Sequence, residues 1–257
     1  MNQKEKQGMK ETDVQGAGSL RSTEVYALPV AERYDALITK EDRAKNIDYF
    51  LGNVCAGTGK DLDVLDLGAG TGRLSCIVAP HVRSITALDA SEGMLKRAEA
   101  KLAGTGLQHV RVQVADLREW LPLEDQSVDL VMAGWSICYL ASESNPQHEH
   151  HLRQLMQEIQ RVLRPQGKVM ILETLGTGHA QPEAPDFLAN YMRALEEEYH
   201  LTKTILDTSF AFDSVQQAAL LCREFFGDAL GDLIERENSP IVPSWTGIWF
   251  GELSSKE

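Results

Sequence analysis

Short apolar runs alternate with amphipathic segments between about residue 61 and residue 174. The runs are too short for helices and rich in branched side chains, so each predicts a buried strand. The predicted strands cover residues 64–67, 85–88, 110–114, 128–133 and 169–172. Strands that alternate with helices are typical of a parallel sheet with helices on both faces, so we predict an α/β fold.

The amphipathic segments between these strands predict helices with recognisable ends. One begins near Gly72 and ends at Pro80, because proline interrupts the hydrogen bonding of a helix interior. A second begins at Ser91, whose hydroxyl is suited to cap the first turn. A third begins near Pro146 and ends before the turn at residues 165–167. The three helices thus follow the first, second and fourth predicted strands.

The pattern changes on both sides of this segment. Residues 1–22 are polar and predict a flexible tail, and residues 23–57 carry apolar residues at helical spacing and predict a helical lid. Later in the chain we predict helices at residues 185–200 and 213–226, and extended segments at residues 202–212 and 241–253. These two extended segments should pair antiparallel at one edge. The predicted fold is therefore a single Rossmann-like domain over residues 23–257, with a seven-stranded, mostly parallel sheet.

Composition limits the class of protein. Hydrophobic residues make up 43% of the 257 residues and charged residues 25%, as in ordinary globular proteins. No apolar run is long enough to span a bilayer and the first residues lack the apolar core of a signal peptide, so we expect a cytoplasmic protein that does not engage a membrane. The four cysteines lack metal-binding spacing and are expected to be reduced thiols.

A glycine turn follows the first predicted strand. It reads Gly68-Ala69-Gly70-Thr71-Gly72 and is preceded by Asp66. A dinucleotide site has a different glycine spacing and rests a pyrophosphate on the helix N-terminus, where a neighbouring carboxylate would repel it. The same carboxylate suits a ligand that carries an ammonium group, and the glycines let the backbone approach that ligand closely.

Two further acids end the next two strands. Asp89 ends the second strand, where a carboxylate can accept both hydroxyls of a ribose. Asp116 follows the third strand and can accept a hydrogen bond from an adenine amino group, while Leu117 offers its backbone N–H. Met94 is suited either to cover an adenine face or, with equal weight, to pack within its helix. Ligands bind outside the carboxyl ends of strands in open α/β sheets, so the acids predict one site.

The segments VLDLGAGTG, ALDAS, VADLREWLP, SVDLVMAGWS and LRPQGKVMILE resemble, in order and spacing, the motifs of class I S-adenosylmethionine (SAM)-dependent methyltransferases. The resemblance covers about residues 62–174 and is strong for the small-molecule branch that includes the ubiquinone and menaquinone-biosynthesis enzymes. It implies methyl transfer from SAM, with S-adenosyl-L-homocysteine as the product, to a small-molecule N, O or C acceptor. The cofactor would bind the core at residues 61–174, and residues 175–257 would form the substrate side.

The resemblance also implies individual roles. Asp66 and the glycine turn would surround the methionine part of SAM, and Ala133 would lie beside the sulfonium. Tyr34 resembles the lid tyrosine of the family, although a core tyrosine is nearly as good an interpretation. The full predicted cofactor set is Tyr34, Asp66, Gly68, Ala69, Gly70, Gly72, Asp89, Ala90, Met94, Asp116, Leu117 and Ala133.

The acceptor side is less defined by the sequence. A neutral amine needs no general base, whereas a hydroxyl or carbon acid does. The candidates for a base are Tyr139, His148, His151 and Glu173, among which none stands out. The candidates for an acceptor pocket are Trp135, Tyr139, Phe210 and Trp245, although most aromatic residues pack in cores.

No metal is predicted. The histidines of residues 148–151 cannot all face one ion on a regular helix. The acid that binds magnesium in the resembling catechol enzymes is also missing. Transfer is therefore expected to be metal-independent and to depend mainly on proximity and orientation.

Several alternatives remain open at this point. A non-catalytic SAM-binding or regulatory protein would keep the same cofactor set. Aminopropyl transfer would need acids after the fourth strand, which are missing, and a nicotinamide enzyme fits the glycine turn poorly. A nucleic-acid or protein methyltransferase is less favoured, because residues 133–136 lack the usual Pro-Pro-aromatic motif and the net charge of -13 disfavours a polyanionic partner. We expect a small-molecule acceptor, no nucleic acid, and a monomer or homodimer.

Overall fold

The computed structural model describes residues 28–58 and 61–253. The predicted tail at residues 1–22 and the start of the predicted lid, residues 23–27, lie outside the described residues. Among the described residues, two helices precede the sheet, α1 (Leu28–Ile38) and α2 (Asn46–Thr58). The later helices are α3 (Arg73–Val78), α4 (Glu92–Ala103), α5 (Cys138–Ala141), α6 (His148–Val162), α7 (Ala189–Glu197), α8 (Val215–Phe226) and α9 (Asp228–Glu237).

The central sheet has seven strands in the order β3-β2-β1-β4-β5-β9-β6. Its strands are β1 (Asp63–Leu67), β2 (Ser84–Asp89), β3 (His109–Val114), β4 (Val128–Gly134), β5 (Leu163–Thr177), β6 (Thr202–Asp207) and β9 (Ser244–Gly251). The first five pair in parallel, whereas β9 runs antiparallel to both β5 and β6. The predicted α/β fold, with a mostly parallel sheet and an antiparallel pair at one edge, is confirmed.

Alternating side chains give the sheet a core on each face, because successive residues of a strand point to opposite sides. Leu65 and Ile171 pack with residues of α5, α6 and α7, and we call this side the α6 face. Val64 and Leu172 pack with residues of α2, α3 and α4, and we call this side the α2 face. Helices therefore cover both faces, and the carboxyl ends of the parallel strands meet along one edge.

A third apolar cluster forms a cap, which consists of α1, α8, α9 and the two-stranded sheet of β7 (Phe210–Ala211) and β8 (Ile241–Val242). Leu37 joins α1 to this cluster. The Lys40 ammonium also donates to the Asp213 carboxylate at 2.8 Å, and the Ala211 backbone N–H donates to the Lys40 carbonyl at 2.8 Å. The described part of the predicted lid is thus bound to C-terminal elements.

The structure differs from the prediction at several elements, including α5, which was not predicted. β5 begins at Leu163 and passes through the turn at residues 165–167, because a register shift opposite Val128–Leu130 lets the strand continue. The extended segment at residues 202–212 is divided between β6 and β7, which belong to different sheets. Helix α9 was not predicted, and it begins directly after Gly227, whose φ is 91°.

The structure also describes the state of the cysteines and the length of the helices. None of the four cysteines, all within the described ranges, forms a disulfide. Burial raises the pKa of Cys55 to about 11 and that of Cys222 to about 12, so both remain protonated at neutral pH. Within residues 28–58 and 61–253, no helix has the length and apolar character needed to cross a bilayer.

Candidate functional site

The glycine turn connects the carboxyl end of β1 to α3. Gly68, Gly70 and Gly72 have φ values of 67°, 56° and 81°, in the left-handed region that favours glycine. The Ala69 backbone N–H donates to the Leu88 carbonyl at 2.9 Å, which fixes the turn against the end of β2. The turn therefore lies at the carboxyl edge of the sheet, as predicted for a ligand site.

Two glycines of this turn face very different surroundings. A Cβ on Gly68 would lie 2.2 Å from the Cβ of Ser136, whose hydroxyl donates to the Leu67 carbonyl at 2.7 Å. A Cβ on Gly70 would meet no atom within 4 Å among the described residues. Gly68 therefore allows the close approach of two backbone segments, whereas Gly70 borders open space that a ligand can enter. This cradle fits the predicted cofactor.

Asp66 lies behind the turn rather than on its surface. It is 1% exposed and accepts a hydrogen bond from the Ser75 hydroxyl of α3 at 2.6 Å. Burial raises the pKa of Asp66 to about 6. The carboxylate therefore braces α3 against β1, and its contact with an ammonium group stays a prediction.

Asp89 ends β2 beside the turn. Its Oδ2 accepts the Gly70 backbone N–H at 2.9 Å, and its Oδ1 accepts the Ser91 backbone N–H at 2.8 Å. Burial raises the pKa of Asp89 above its ordinary value. Ser91 in turn caps α4, as predicted, by accepting the Met94 backbone N–H. The carboxylate is thus held by two backbone donors, and each oxygen keeps a lone pair for a ribose hydroxyl.

Asp116 has a partner that was not predicted. The guanidinium of Arg118 donates to both of its oxygens, at 2.9 Å from Nε to Oδ1 and 2.5 Å from Nη2 to Oδ2. These bonds lower the pKa of Asp116. The pair is partly exposed, with 32% of the Asp116 side chain accessible. An adenine amino group would therefore share Asp116 with Arg118.

The other residues of the predicted cofactor set have simpler surroundings. Met94 and Ala133 are 4% and 0% exposed, so in this structure both are packed against neighbouring residues. Ala90 and Leu117 are half-buried at the carboxyl edge. Tyr34 is half-buried in α1 and packs edge-on against Phe225 of the cap, with 6.0 Å between ring centroids.

Asp35 connects α1 to the glycine turn, and sequence reasoning missed it. Its side chain is 8% exposed and accepts hydrogen bonds from the hydroxyl of Thr71, from Arg97 Nε at 2.8 Å and from Lys101 Nζ at 2.7 Å. Burial alone would raise the pKa of Asp35, but the bonds from Lys101, Thr71 and Arg97 lower it overall. One carboxylate therefore holds the lid helix, the turn and α4 together.

Replacing Asp35 with alanine is expected to lower the free energy of unfolding by about 2 kcal/mol, because Arg97 and Lys101 lose a buried partner while water still screens them. SAM affinity should fall about 10-fold, since the turn loses its tie to α1 (roughly 1.4 kcal/mol). Thermal unfolding and calorimetry measure the two effects. Glu32→Ala is the matched control, because Glu32 is 68% exposed and contacts the same Arg97 at 3.5 Å. Equal losses of stability and of SAM affinity in Asp35→Ala and Glu32→Ala would contradict the role of Asp35 in holding the turn.

A buried ion pair follows the turn. Arg73, the first residue of α3, pairs with Glu41, and the two side chains are 17% and 10% exposed. The guanidinium lies over the ring of Trp135, 5.0 Å from its centroid. Trp135 has a left-handed φ of 51° and donates its backbone N–H to the Leu172 carbonyl at 2.8 Å. Trp135 thus lies at the ends of β4 and β5 and is fixed by a cation from the turn.

The four candidate bases lie in different parts of the structure. His151 lies close enough to Asp116 and Arg118 for their charges to affect it, and burial is the main cause that lowers its pKa. His148 Nδ1 lies 2.8 Å from the Asn145 carbonyl at the start of α6. Tyr139 is 52% exposed on α5. Glu173 is fully buried in the C-terminal half of β5. The histidines therefore group with the predicted adenine end, and Glu173 lies one strand beyond β4.

The candidate acceptor residues are also divided. Trp245, at the start of β9, is half-buried and donates its indole N–H to the His179 carbonyl at 3.0 Å. Phe210 is 2% exposed and stacks on Phe212 at 5.6 Å between centroids, inside the cap. Phe210 thus has a packing role in this structure and does not border an open surface. Trp135, Tyr139 and Trp245 remain candidates.

The amino ends of the strands carry a separate groove of about 540 Å³, bordered by Asp63, Ser84 and Trp120. This groove lies at the edge opposite the glycine turn, because Asp63 and Ser84 begin β1 and β2. Across the described ranges, no group of three or more histidine, cysteine or acidic residues could hold a metal ion.

Comparison with known proteins gives a family match for the central part of the chain. Residues 65–171 match a family model described as a methyltransferase domain. The chain is 28% identical over 158 residues to the uncharacterized methyltransferase YcgJ of Bacillus subtilis, which covers 61% of this chain and 56% of that protein. It is 36% identical over 125 residues to a demethylmenaquinone methyltransferase of Lactobacillus johnsonii, covering 47% and 45%.

The match to these relatives is partial, and the fold agrees over a longer range. The chain spans about half the length of the curated relatives it matches. The crystal structure of YcgJ has a TM-score of 0.55 and 16% sequence identity, and the alignment covers 81% of this chain and 99% of that one. At this identity, the likeness concerns the fold alone.

Proposed function

We propose that this chain, whose residues 65–171 match a methyltransferase-domain family model, transfers a methyl group from SAM to a small-molecule acceptor without a metal ion. One observation carries this proposal. At the carboxyl edge of the sheet, Gly70 borders open space and its backbone N–H donates to the Asp89 carboxylate. Loops and acids in this arrangement suit a ligand with a ribose and an ammonium group.

We assign the parts of the cofactor by charge and position. The turn from Gly68 to Gly72 would hold the methionine part, and Asp89 the ribose. Asp116 and Leu117 would hold the adenine, with Asp116 shared with Arg118. When bound, SAM supplies the methyl group, and the C–S electron pair stays on sulfur in S-adenosylhomocysteine. The protein would contribute mainly the positioning of the acceptor.

The acceptor is proposed to be a small molecule for two reasons. The net charge of -13 disfavours polyanionic substrates. One relative is named for demethylmenaquinone, a small molecule. The half-buried Trp135 and Trp245 at the carboxyl edge suit a flat ligand.

Titration calorimetry with SAM and S-adenosylhomocysteine tests the cofactor part, and we expect both to bind at one site per chain. No binding of SAM would contradict the proposed function. A screen of small-molecule acceptors with methyl-labelled SAM tests the transfer part. Tight SAM binding with no labelled product from any acceptor would instead favour a non-catalytic SAM-binding protein.

A further inference from the structure

Glu173 is a buried carboxylate in the C-terminal half of β5 that the proposed cofactor set does not use. It is 0% exposed and pairs across the sheet with Gly247 of β9. It points to the α6 face, two residues after Ile171 of that face. The preceding residue, Leu172, accepts the backbone N–H of Trp135 at the end of β4. Glu173 therefore lies at the same edge as the glycine turn, beyond the point where the methyl group is expected.

The two oxygens of this carboxylate have different surroundings. Oε1 accepts the Cys138 backbone N–H at 3.1 Å and the Tyr191 hydroxyl at 3.1 Å. Oε2 is buried and has no hydrogen-bond partner in the part of the chain that the structure describes. An unpaired polar oxygen in a protein interior is costly, so native structures rarely keep one without a reason. Oε2 is therefore suited to receive a hydrogen-bond donor from a bound molecule.

The residues around Glu173 are largely apolar, and those that follow on α5 reach the surface. Cys138, whose backbone holds Oε1, is half-buried, and the next residue, Tyr139, is 52% exposed. Phe187 and Trp245 are partly buried at the margin of the same apolar cluster. Such surroundings favour a flat, uncharged acceptor over an ammonium ion, because burial of a charge is costly.

The groups that face Glu173 leave it able to exchange a proton near neutral pH. Burial raises the pKa of Glu173 to about 7. Burial also raises the pKa of Cys138 on α5 and of Tyr191 on α7 well above their ordinary values, so both remain protonated. The facing residue on β9 is Gly247, and the β4 side ends in Trp135, neither of which carries a charge. A base with these neighbours suits proton transfer at neutral pH.

We propose that Oε2 of Glu173 takes a proton from the acceptor, and that the acceptor is a phenol or enol rather than an amine. This inference rests on the proposed function. An amine can lose its proton to water before it enters an apolar site, and its neutral form needs no base. A hydroxyl or carbon acid must lose its proton as it attacks, which explains why a carboxylate is kept here at the cost of burial.

The proton transfer balances within the site. The O–H or C–H bond of the acceptor breaks, and the proton forms an O–H bond with Oε2 of Glu173. The electron pair of the broken bond stays on the acceptor, where an oxygen or carbon atom forms the bond to the transferred methyl group. Tyr191 and the Cys138 backbone keep Oε1 in place throughout, so they act as positioning groups.

Glu173→Gln tests the proposal, because glutamine keeps the shape of the side chain and cannot take the proton. Wild type and variant are given methyl-labelled SAM with two sets of acceptors: catechol, hydroquinone, menadiol and acetylacetone, and ethanolamine, sarcosine and benzylamine. We expect product from the first set only, and a loss of about 100-fold in kcat/KM in the variant. The matched control is Glu196→Gln, which alters a partly exposed carboxylate on α7.

The pH dependence gives a second and a third readout. In wild type, kcat/KM should rise with pH through about 7, and in Glu173→Gln it should not. Tyr191→Phe removes a donor to the carboxylate and should move this rise to higher pH. The raised pKa also means that Glu173 contributes a loss of stability as pH increases from about 4.5 to 7. In thermal unfolding, Glu173→Gln should show a smaller loss over this range than wild type, since buried Asp66, with a pKa of about 6, still contributes.

Calorimetry with SAM separates the two levels of the proposal. SAM affinity should be unchanged in Glu173→Gln, because the residue is outside the cofactor set. Product from the amines alone, an unchanged rate in the variant, or no product from the phenols and the enol would overturn the role of Glu173 and leave the proposed function standing. A failure of wild type to bind SAM would overturn both.

Discussion

Replacing Asp89 with alanine is expected to weaken SAM binding about 1000-fold in calorimetry, and to leave the fold intact. Each oxygen of this carboxylate accepts one backbone N–H, from Gly70 and from Ser91, and keeps a second lone pair for a ribose hydroxyl. Hydrogen bonds to a charged group contribute about 1.5–3 kcal/mol each, so the loss of two amounts to about 4 kcal/mol, or roughly 1000-fold in affinity.

Two further variants make this result specific. Glu92→Ala removes the same charge from the first turn of α4, where the side chain is 72% exposed and pairs with Lys96, and SAM affinity should not change. Asp89→Asn keeps one acceptor oxygen and should bind SAM with intermediate affinity. If Asp89→Ala bound SAM as tightly as wild type, the ribose assignment would be wrong.

The parallel core could be predicted because its signals are local. Short branched runs bounded by glycine and charged residues fix strands to within a few positions, as for β1 and β2. The elements that were missed depend on distant partners. β5 extends back to Leu163 because β4 pairs with it across a register shift, and β7 is separated from β6 because Phe210 pairs with Val242. Such pairings have no signature within the segment itself.

In the candidate site, too, the residues with local sequence signals could be predicted and those that depend on distant partners could not. The glycine turn and Asp89 could be predicted, because each stands at the end of an apolar strand. The importance of Asp35 could not, since its partners Arg97 and Lys101 lie 62 and 66 residues away in the chain. Arg118 illustrates the opposite case: it lies two residues from Asp116, and only the folded loop reveals that it occupies both oxygens.

Asp35 and the pair of Arg73 with Glu41 all connect the N-terminal segment to the cofactor turn or to the helix that follows it. Asp35 joins α1 to the turn, and the pair of Arg73 with Glu41 joins the start of α3 to the segment that follows α1. Leu37 of α1 packs with the other elements of the cap, and Lys40, which follows α1, pairs with Asp213. The cofactor turn is therefore connected to the substrate-side elements through α1 and the segment that follows it, which a glycine motif alone would not indicate.

Alanine at Gly68 should mainly lower the stability of the protein, whereas alanine at Gly70 should mainly abolish SAM binding. Gly68→Ala places a Cβ 2.2 Å from that of Ser136 on a backbone with φ of 67°. Left-handed backbone costs about 1–2 kcal/mol for alanine and overpacking about 1–3 kcal/mol, so we expect a loss of about 4 kcal/mol in the free energy of unfolding. Differential scanning calorimetry should show a melting temperature about 10 °C lower.

Gly70→Ala carries a similar backbone cost, with φ of 56°, but its Cβ meets no described atom within 4 Å. We therefore expect a loss of only about 1 kcal/mol in the free energy of unfolding, so that the protein stays folded. This folded protein should no longer bind SAM detectably, because the alanine side chain occupies the space that the cofactor enters. The two variants separate the structural use of the turn from its binding use. Normal SAM affinity in a folded Gly70→Ala protein would show that the cofactor does not approach this part of the turn.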